Sequence, residues 1–323
     1  MAEITYRDAL RRTLHEEMTA DERVTLMGED IGAYGGSYSV TKGFLEEFGP
    51  DRVRDTPISE AVIVGCGIGA AMGGLRPMVE LMTVNFALLA FDQIINNASK
   101  LYYMSGGQIS VPMVIRMSGG AGSQLSSQHS HSLEGWFAHI PGLAVAVPYT
   151  AADARGLLKT AFHEPNPVIF IEHTALYGRK GEVPDGEYAI PFGQAEAIRE
   201  GKDITLIGYS GSVYQCLKAS EMLAEDGIEA EVLNLRTLRP LDTDAIVRSV
   251  TKTHRAVVVE DDWKFGGFAG EIAALIMEQA FDELDAPVAR VCGADVPMPY
   301  AKELEQAALP QPQDIVAAAR ALV

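Results

Sequence analysis

Residues 51–80 read DRVRDTPISEAVIVGCGIGAAMGGLRPMVE, and how this stretch folds decides how the rest of the chain is read. Glu60 stands at the head of it, and no residue from Ala61 to Leu75 carries a charge. Gly65, Gly67, Gly69, Gly73 and Gly74 thin out the side chains. One reading is a dinucleotide fingerprint: Gly65, Gly67 and Ala70 fit G-x-G-x-x-[GA], with Val62–Val64 as the strand and Glu80 as the ribose acid. Length argues against it, because such a unit takes ~30 residues and Val62 to Glu80 is only 19. A second reading is a tightly packed glycine helix with no ligand. The third turns on Glu60. A lone carboxylate beside an apolar wall is costly unless it is paired or shares a proton, and a helix starting there keeps it near the positive end. The glycines would then let a flat heterocycle or a second backbone come close.

Either side of this stretch, strands alternate with helices. VTLMGED, RPMVELM, VPMVIRM, LAVAVP and PVIFIEH are apolar runs of strand length. Residues 6–19 and Ala151 to Phe162 read as helices. In ALLAFDQIINNASKLYYM, Leu88, Phe91, Ile95 and Ala98 fall on one helical face. This alternation predicts an α/β fold with a parallel sheet covered on both faces. A stretch rich in Gly, Pro and charge over 181–194 reads as a linker. Alternation restarts with DITLIGYS, a helix closed by Gly227, IEAEVLNL, the helix DTDAIVRSV and RAVVVEDD, a second and smaller α/β domain over 195–323.

The chain has 323 residues, of which 47% are hydrophobic, so two domains with real cores are expected. A formal net charge of −18 argues against nucleic-acid or anionic-membrane binding. No apolar run reaches the ~18 residues of a membrane span, and the charged N-terminus lacks a signal-peptide core. Cys66, Cys216 and Cys292 form no paired motif, so a cytoplasmic protein fits.

GSQLSSQHSHSLEGWFAHIPG holds His129, His131 and His139 in a serine-rich loop. A metal role for His129 and His131 lacks a nearby Cys or acid cluster. Acid–base work near neutral pH is the alternative to a merely structural loop. In AFHEPNPVIF two prolines bracket a turn, whose carbonyls suit a hard monovalent ion but whose spacing does not require one. There is no P-loop, G-x-S-x-G or H-E-x-x-H. Gly-Asp-Gly followed by paired Asn, the magnesium–diphosphate signature of thiamine enzymes, is also missing.

With GEDIGAYGGSY, DTPISE, GIGAAMGGLRPMVELMTVNF, FDQIINNASKLYYMSGG, QHS, PGLAVAVP, LNLRTLRPLD and CGADVPMPYA in hand, the chain resembles a known family over its whole length. It is similar to the β subunits of the thiamine-diphosphate-dependent 2-oxoacid dehydrogenases, closest to the pyruvate type. The resemblance implies a pyrimidine-binding α/β domain over 1–180, followed by a domain like the C-terminal one of transketolase. It implies an α subunit in a heterotetramer of two of each chain. That partner would carry the magnesium–diphosphate motif absent here. The implied reaction is oxidative decarboxylation on thiamine diphosphate and reductive acylation of a lipoyl arm of the acyltransferase core.

Several residues take roles from the same resemblance. The glutamate of TPISE, Glu60, would bind the aminopyrimidine ring nitrogen, and Phe86 of MTVNF would pack on that ring. His129 of QHS would assist transfer to the lipoyl group. His131, where relatives often carry Gln or Arg, leaves open which imidazole acts. Potassium would be held by main-chain carbonyls of Ala161, Phe162 and Glu164, with Asn166 and Met113. Acetoin and branched-chain 2-oxoacid dehydrogenase subunits are the neighbouring alternatives. A nicotinamide-dependent dehydrogenase and a non-catalytic scaffold subunit are those of other classes. Acids in MEQAFDELDAP and KELEQAALPQPQD would dock a basic module of the core.

Overall fold

The structure is a computed structural model and describes residues 2–323. The chain forms two compact units. The first takes residues up to Gly119 and Trp136–Phe192; the second takes Gly120–Gly135 and Gly193–Val323. The excursion of 120–135 is invisible in composition, because hydrogen bonds to residues far along the chain define it. No helix among the described residues is long and apolar enough to cross a membrane.

In the first unit β1 (Ala2–Thr5) precedes β2 (Val24–Gly28), β3 (Val53–Asp55), β4 (Arg76–Leu81), β5 (Val114–Gly119), β6 (Ala144–Ala146), β7 (Val168–His173) and β8 (Lys180–Val183). The parallel strands lie in the order β6-β7-β5-β4-β2-β3. β5 and β7 are buried throughout, as strands covered on both faces must be. Helix Tyr6–Ala20 starts at Thr5, whose hydroxyl accepts from the Asp8 N–H. It packs on helix Ala151–His163, which opens with a reciprocal Thr150–Asp153 capping box. β8 pairs antiparallel with β1, Ala2 opposite Val183, so the start of the expected linker is a strand of the first unit.

The stretch 86–104 is not one regular helix. A 3₁₀ turn (Phe86–Ala90), a π turn (Gln93–Ala98) and a short α turn (Leu101–Met104) follow one another. Ala87, Ala90, Ile94 and Ala98 are buried, whereas Leu88 is 39% exposed. Of the face expected from periodicity only Ala98 is fully inside. The change of winding shifts the register, and alanines let these turns pack closely on helix Glu60–Met72.

The second unit holds β9 (Glu196–Arg199), β10 (Ile204–Gly208), β11 (Ala230–Asn234), the short β12 (Thr237–Arg239), β13 (Ala256–Trp263) and β14 (Ala289–Gly293). A five-stranded sheet runs β14-β13-β10-β11-β9, with β9 antiparallel to β11 and the other pairs parallel. Helix Ser212–Glu225 ends where Gly227 turns to φ 80° and the Ile228 N–H donates to the Leu223 carbonyl.

Candidate active site

In open parallel sheets, ligands gather beyond the carboxyl ends of the strands. Along the neighbours β4-β2-β3 those ends lead into Phe86, into Glu29 and into Glu60. Glu60 begins helix Glu60–Met72, where the dipole favours a carboxylate. It is 4% exposed, and no hydrogen-bond partner for it is found among the described residues. Burial first, and then the Glu60 charge, push the Glu29 carboxyl above its ordinary range. Glu29 was missed in sequence; its signal was an acid just past the end of a parallel strand.

The helix explains its own glycines. A Cβ on Gly67 would lie 2.6 Å from Val79 Cγ1, so Gly67 lets the helix sit down on β4. A Cβ on Gly69 would meet nothing and one on Gly65 only Gln93 at 3.4 Å, so that side is open to another molecule. Ile58, Val62 and Met72 are exposed beside it. The dinucleotide reading fails here: Val62–Val64 lie within the helix, not in a strand. Glu80 is buried against Arg116 and is not offered to a ribose.

Phe86 opens the 3₁₀ turn that packs on this helix, its N–H donating to the Thr83 carbonyl at 3.0 Å. The ring is partly exposed, as a stacking surface requires.

His129 and His131 sit in the 120–135 segment of the second unit. His129 is exposed. His131 turns inward, its ring 5.7 Å from that of Trp263, and burial lowers its pKa. The two imidazoles therefore stand in different settings: His131 packs on Trp263 of its own unit, and His129 is exposed. The loop base closes through the Gly120 N–H donating to the His131 carbonyl at 3.0 Å.

Of the five groups expected to hold potassium, Asn166 Oδ1 is buried with no hydrogen-bond partner among the described residues. The Phe162 carbonyl already accepts from Arg76 at 2.5 Å, and the Met113 carbonyl from the Val168 N–H at 3.0 Å. Ala161 is buried and Glu164 partly so.

The transketolase pyrimidine-binding domain matches residues 2–180, and the transketolase C-terminal domain matches 193–315. Subunit β of the pyruvate dehydrogenase E1 component from Rickettsia felis is 49% identical over 98% of both chains. The mitochondrial counterpart from Dictyostelium discoideum is 50% identical, over 98% of this chain and 90% of its own. That from Rhizobium meliloti is 50% identical over 100% of this chain and 70% of its own. Among solved structures, an inactive β4 tetramer of a split-gene transketolase superposes with a TM-score of 0.81 over 99% of this chain and 98% of its own. At 24% identity it speaks for the fold alone. The chain belongs to the family of pyruvate dehydrogenase E1 component β subunits, built from a transketolase pyrimidine-binding domain and a transketolase C-terminal domain.

Proposed function

We propose that this chain is the β subunit of a thiamine-diphosphate-dependent pyruvate dehydrogenase, which decarboxylates pyruvate and acetylates the lipoyl group of an acyltransferase core. The observation that carries the reading is Glu60, a buried glutamate at the carboxyl edge of the pyrimidine-domain sheet with no side-chain hydrogen-bond partner among the described residues. Such a group fits a ring nitrogen that shares a proton with it. Thiamine diphosphate supplies the carbon nucleophile and the electron sink. Glu60 holds the proton at the aminopyrimidine nitrogen, and Phe86 packs on that ring. His129, the exposed imidazole, handles the proton at the lipoyl sulfur during transfer.

The diphosphate and its magnesium are assigned to an α subunit, since this chain lacks the motif for them. The assembly is two α with two β. Exposed apolar groups on the glycine helix, and Tyr103 and Met104 (84% and 76% exposed), fit a partner surface. Potassium is assigned to the turn of Ala161, Phe162, Glu164 and Asn166 with Met113; the orphaned Asn166 oxygen supports this. The core docks on the second unit, where Glu278, Asp282, Glu283 and Asp285 are all exposed. Three free cysteines fit a cytoplasmic setting. Pyruvate is preferred over acetoin and branched-chain acids because the relatives at about half identity carry that name.

The test is reconstitution. This chain alone should bind thiamine diphosphate weakly and turn over no 2-oxoacid. Co-expressed with its α subunit, it should convert pyruvate faster than branched-chain acids and acetylate a lipoyl domain. Turnover by the purified single chain would refute the reading.

A further inference from the structure

The helix Lys302–Ala308 inverts the usual burial order. Leu304 is 59% exposed, while its neighbour Glu305 is 1% exposed. A buried carboxylate needs donors, and Glu305 takes them from one place. Its Oε1 accepts from the Gly122 N–H at 3.0 Å and from the Gln124 N–H at 3.1 Å, and its Oε2 from the Gln124 N–H at 3.2 Å. These amides converge because the backbone there is left-handed, with φ of 99° at Gly122 and 56° at Gln124. Successive N–H groups in such a turn make an anion-binding concavity, and here the anion is the protein's own side chain. The other end of the loop leans on the same region. His131 packs on Trp263, whose indole N–H donates to the Val296 carbonyl at 3.0 Å. The Ala294 N–H in turn donates to the Ala308 carbonyl at 2.9 Å, closing back on the helix of Glu305.

We propose that Glu305 is a positioning residue for His129: its carboxylate fastens the loop at Gly122 and Gln124 and so fixes where the exposed imidazole stands. The inference rests on the reading of His129 as the group that serves acyl transfer. Charge-assisted N–H bonds to a buried carboxylate are stronger than neutral ones, which suits a loop that carries an exposed reactive group and few apolar side chains of its own. Without the fastening, Gln124 at φ 56° has little reason to stay left-handed, since only glycine is at ease there.

The experiment uses the enzyme assembled with its α subunit. Glu305→Ala should speed hydrogen exchange at the Gly122 and Gln124 amides. It should lower acetylation of a lipoyl domain about 10-fold, within the ~10²-fold that a 1 Å misplacement can cost. Decarboxylation measured with an artificial electron acceptor should stay unchanged. Glu305→Gln should lie between, because its amide oxygen still accepts while its NH₂ opposes the Gln124 N–H; it also serves if the alanine variant folds poorly. The double variant with His129→Ala should acetylate no worse than His129→Ala alone. Unchanged exchange, equal loss in both assays, or losses that multiply in the double variant would overturn the proposal. Normal acetylation by His129→Ala would overturn the reading of His129. Impaired acetylation by His129→Ala, with none by Glu305→Ala, would overturn the positioning role alone.

Discussion

Each unit buries a cluster of acids, and these two clusters settle the charge in opposite ways. In the first, Glu172 meets both arms of the Arg116 guanidinium at 2.5 and 2.6 Å, Glu80 meets its third nitrogen, and the Tyr177 hydroxyl donates to Glu172 at 2.6 Å. In the second, Glu134, Glu260 and Asp262 gather with no lysine or arginine on any of the three among the described residues. Burial raises Glu134 to about 8, Glu260 to about 7 and Asp262 to about 6. A counter-ion answers the cost of burial in the first cluster, whereas in the second burial shifts the acids toward keeping their protons. Glu60 belongs to neither set: it is buried, and no ion pair or side-chain hydrogen bond to it is found among the described residues.

The largest effect should come from breaking the paired set. Arg116→Leu leaves Glu80 and Glu172 buried without their cation, and a broken buried pair typically costs about 3–5 kcal/mol. The midpoint of urea unfolding, at fixed protein concentration, should drop accordingly. Replacing Glu80, Arg116 and Glu172 together by apolar residues of similar volume should cost much less, because no charge is then stranded. A single Arg116→Leu variant as stable as the wild type would mean that water reaches this layer.

Glu60 comes next, and its effect should fall on chemistry alone. Glu60→Gln keeps the volume and removes the shared proton, so turnover of the assembled enzyme should fall about 10²-fold or more, equivalent to ~2.7 kcal/mol. Unfolding should be nearly unchanged, since no side-chain hydrogen bond or ion pair of Glu60 is found among the described residues. Hydrogen exchange at the thiazolium carbon, followed by NMR, reads the step directly, and an unchanged rate would contradict the role.

The same contrast shows what was legible in the sequence. The strands were readable because parallel strands buried on both faces are continuous apolar runs, as in β5 and β7. Glu60 was readable because a charge at the head of an uncharged run is conspicuous. Glu305 was not, because KELEQAALP looks like a solvated helix and its partners lie some 180 residues earlier, at Gly122 and Gln124. Glu134 was hidden in the same way: its neighbours Glu260 and Asp262 arrive from β13, beyond the reach of periodicity or spacing. The irregular turns of 86–104 escaped because a hydrophobic pattern fixes a face only if the winding is constant. The resemblance to the thiamine enzymes alone singled out Phe86, which the residues had not raised, and favoured His129 among the loop histidines.

The gentlest test titrates the unpaired acids. The Glu134 carboxyl is raised in the folded protein to about 8 from an ordinary value of 4.5. Below about pH 4.5 both folded and unfolded chains hold this proton, and the full stability is present. As pH rises, the unfolded chain releases it while the folded chain does not, so stability falls until the folded group also ionises near pH 8. The slope per group is at most about 1.4 kcal/mol per pH unit. Glu260 adds the same sign up to about pH 7, and Asp262 up to about pH 6. Paired surface acids act the other way, but lower down: Asp21, held at about 2 by Arg23, loses its contribution only below its ordinary 3.8. The charges that act on Glu134 are those of Asp262, Asp261 and Glu260, all acids, with the Tyr209 hydroxyl donating to Glu260 at 3.1 Å. Glu134→Gln should therefore match the wild type near pH 4.5 and exceed its stability near pH 8, flattening the curve between. Unfolding midpoints at half-unit steps from pH 4.5 to 8.5 would show it, and two parallel curves would mean that Glu134 is already ionised in the fold.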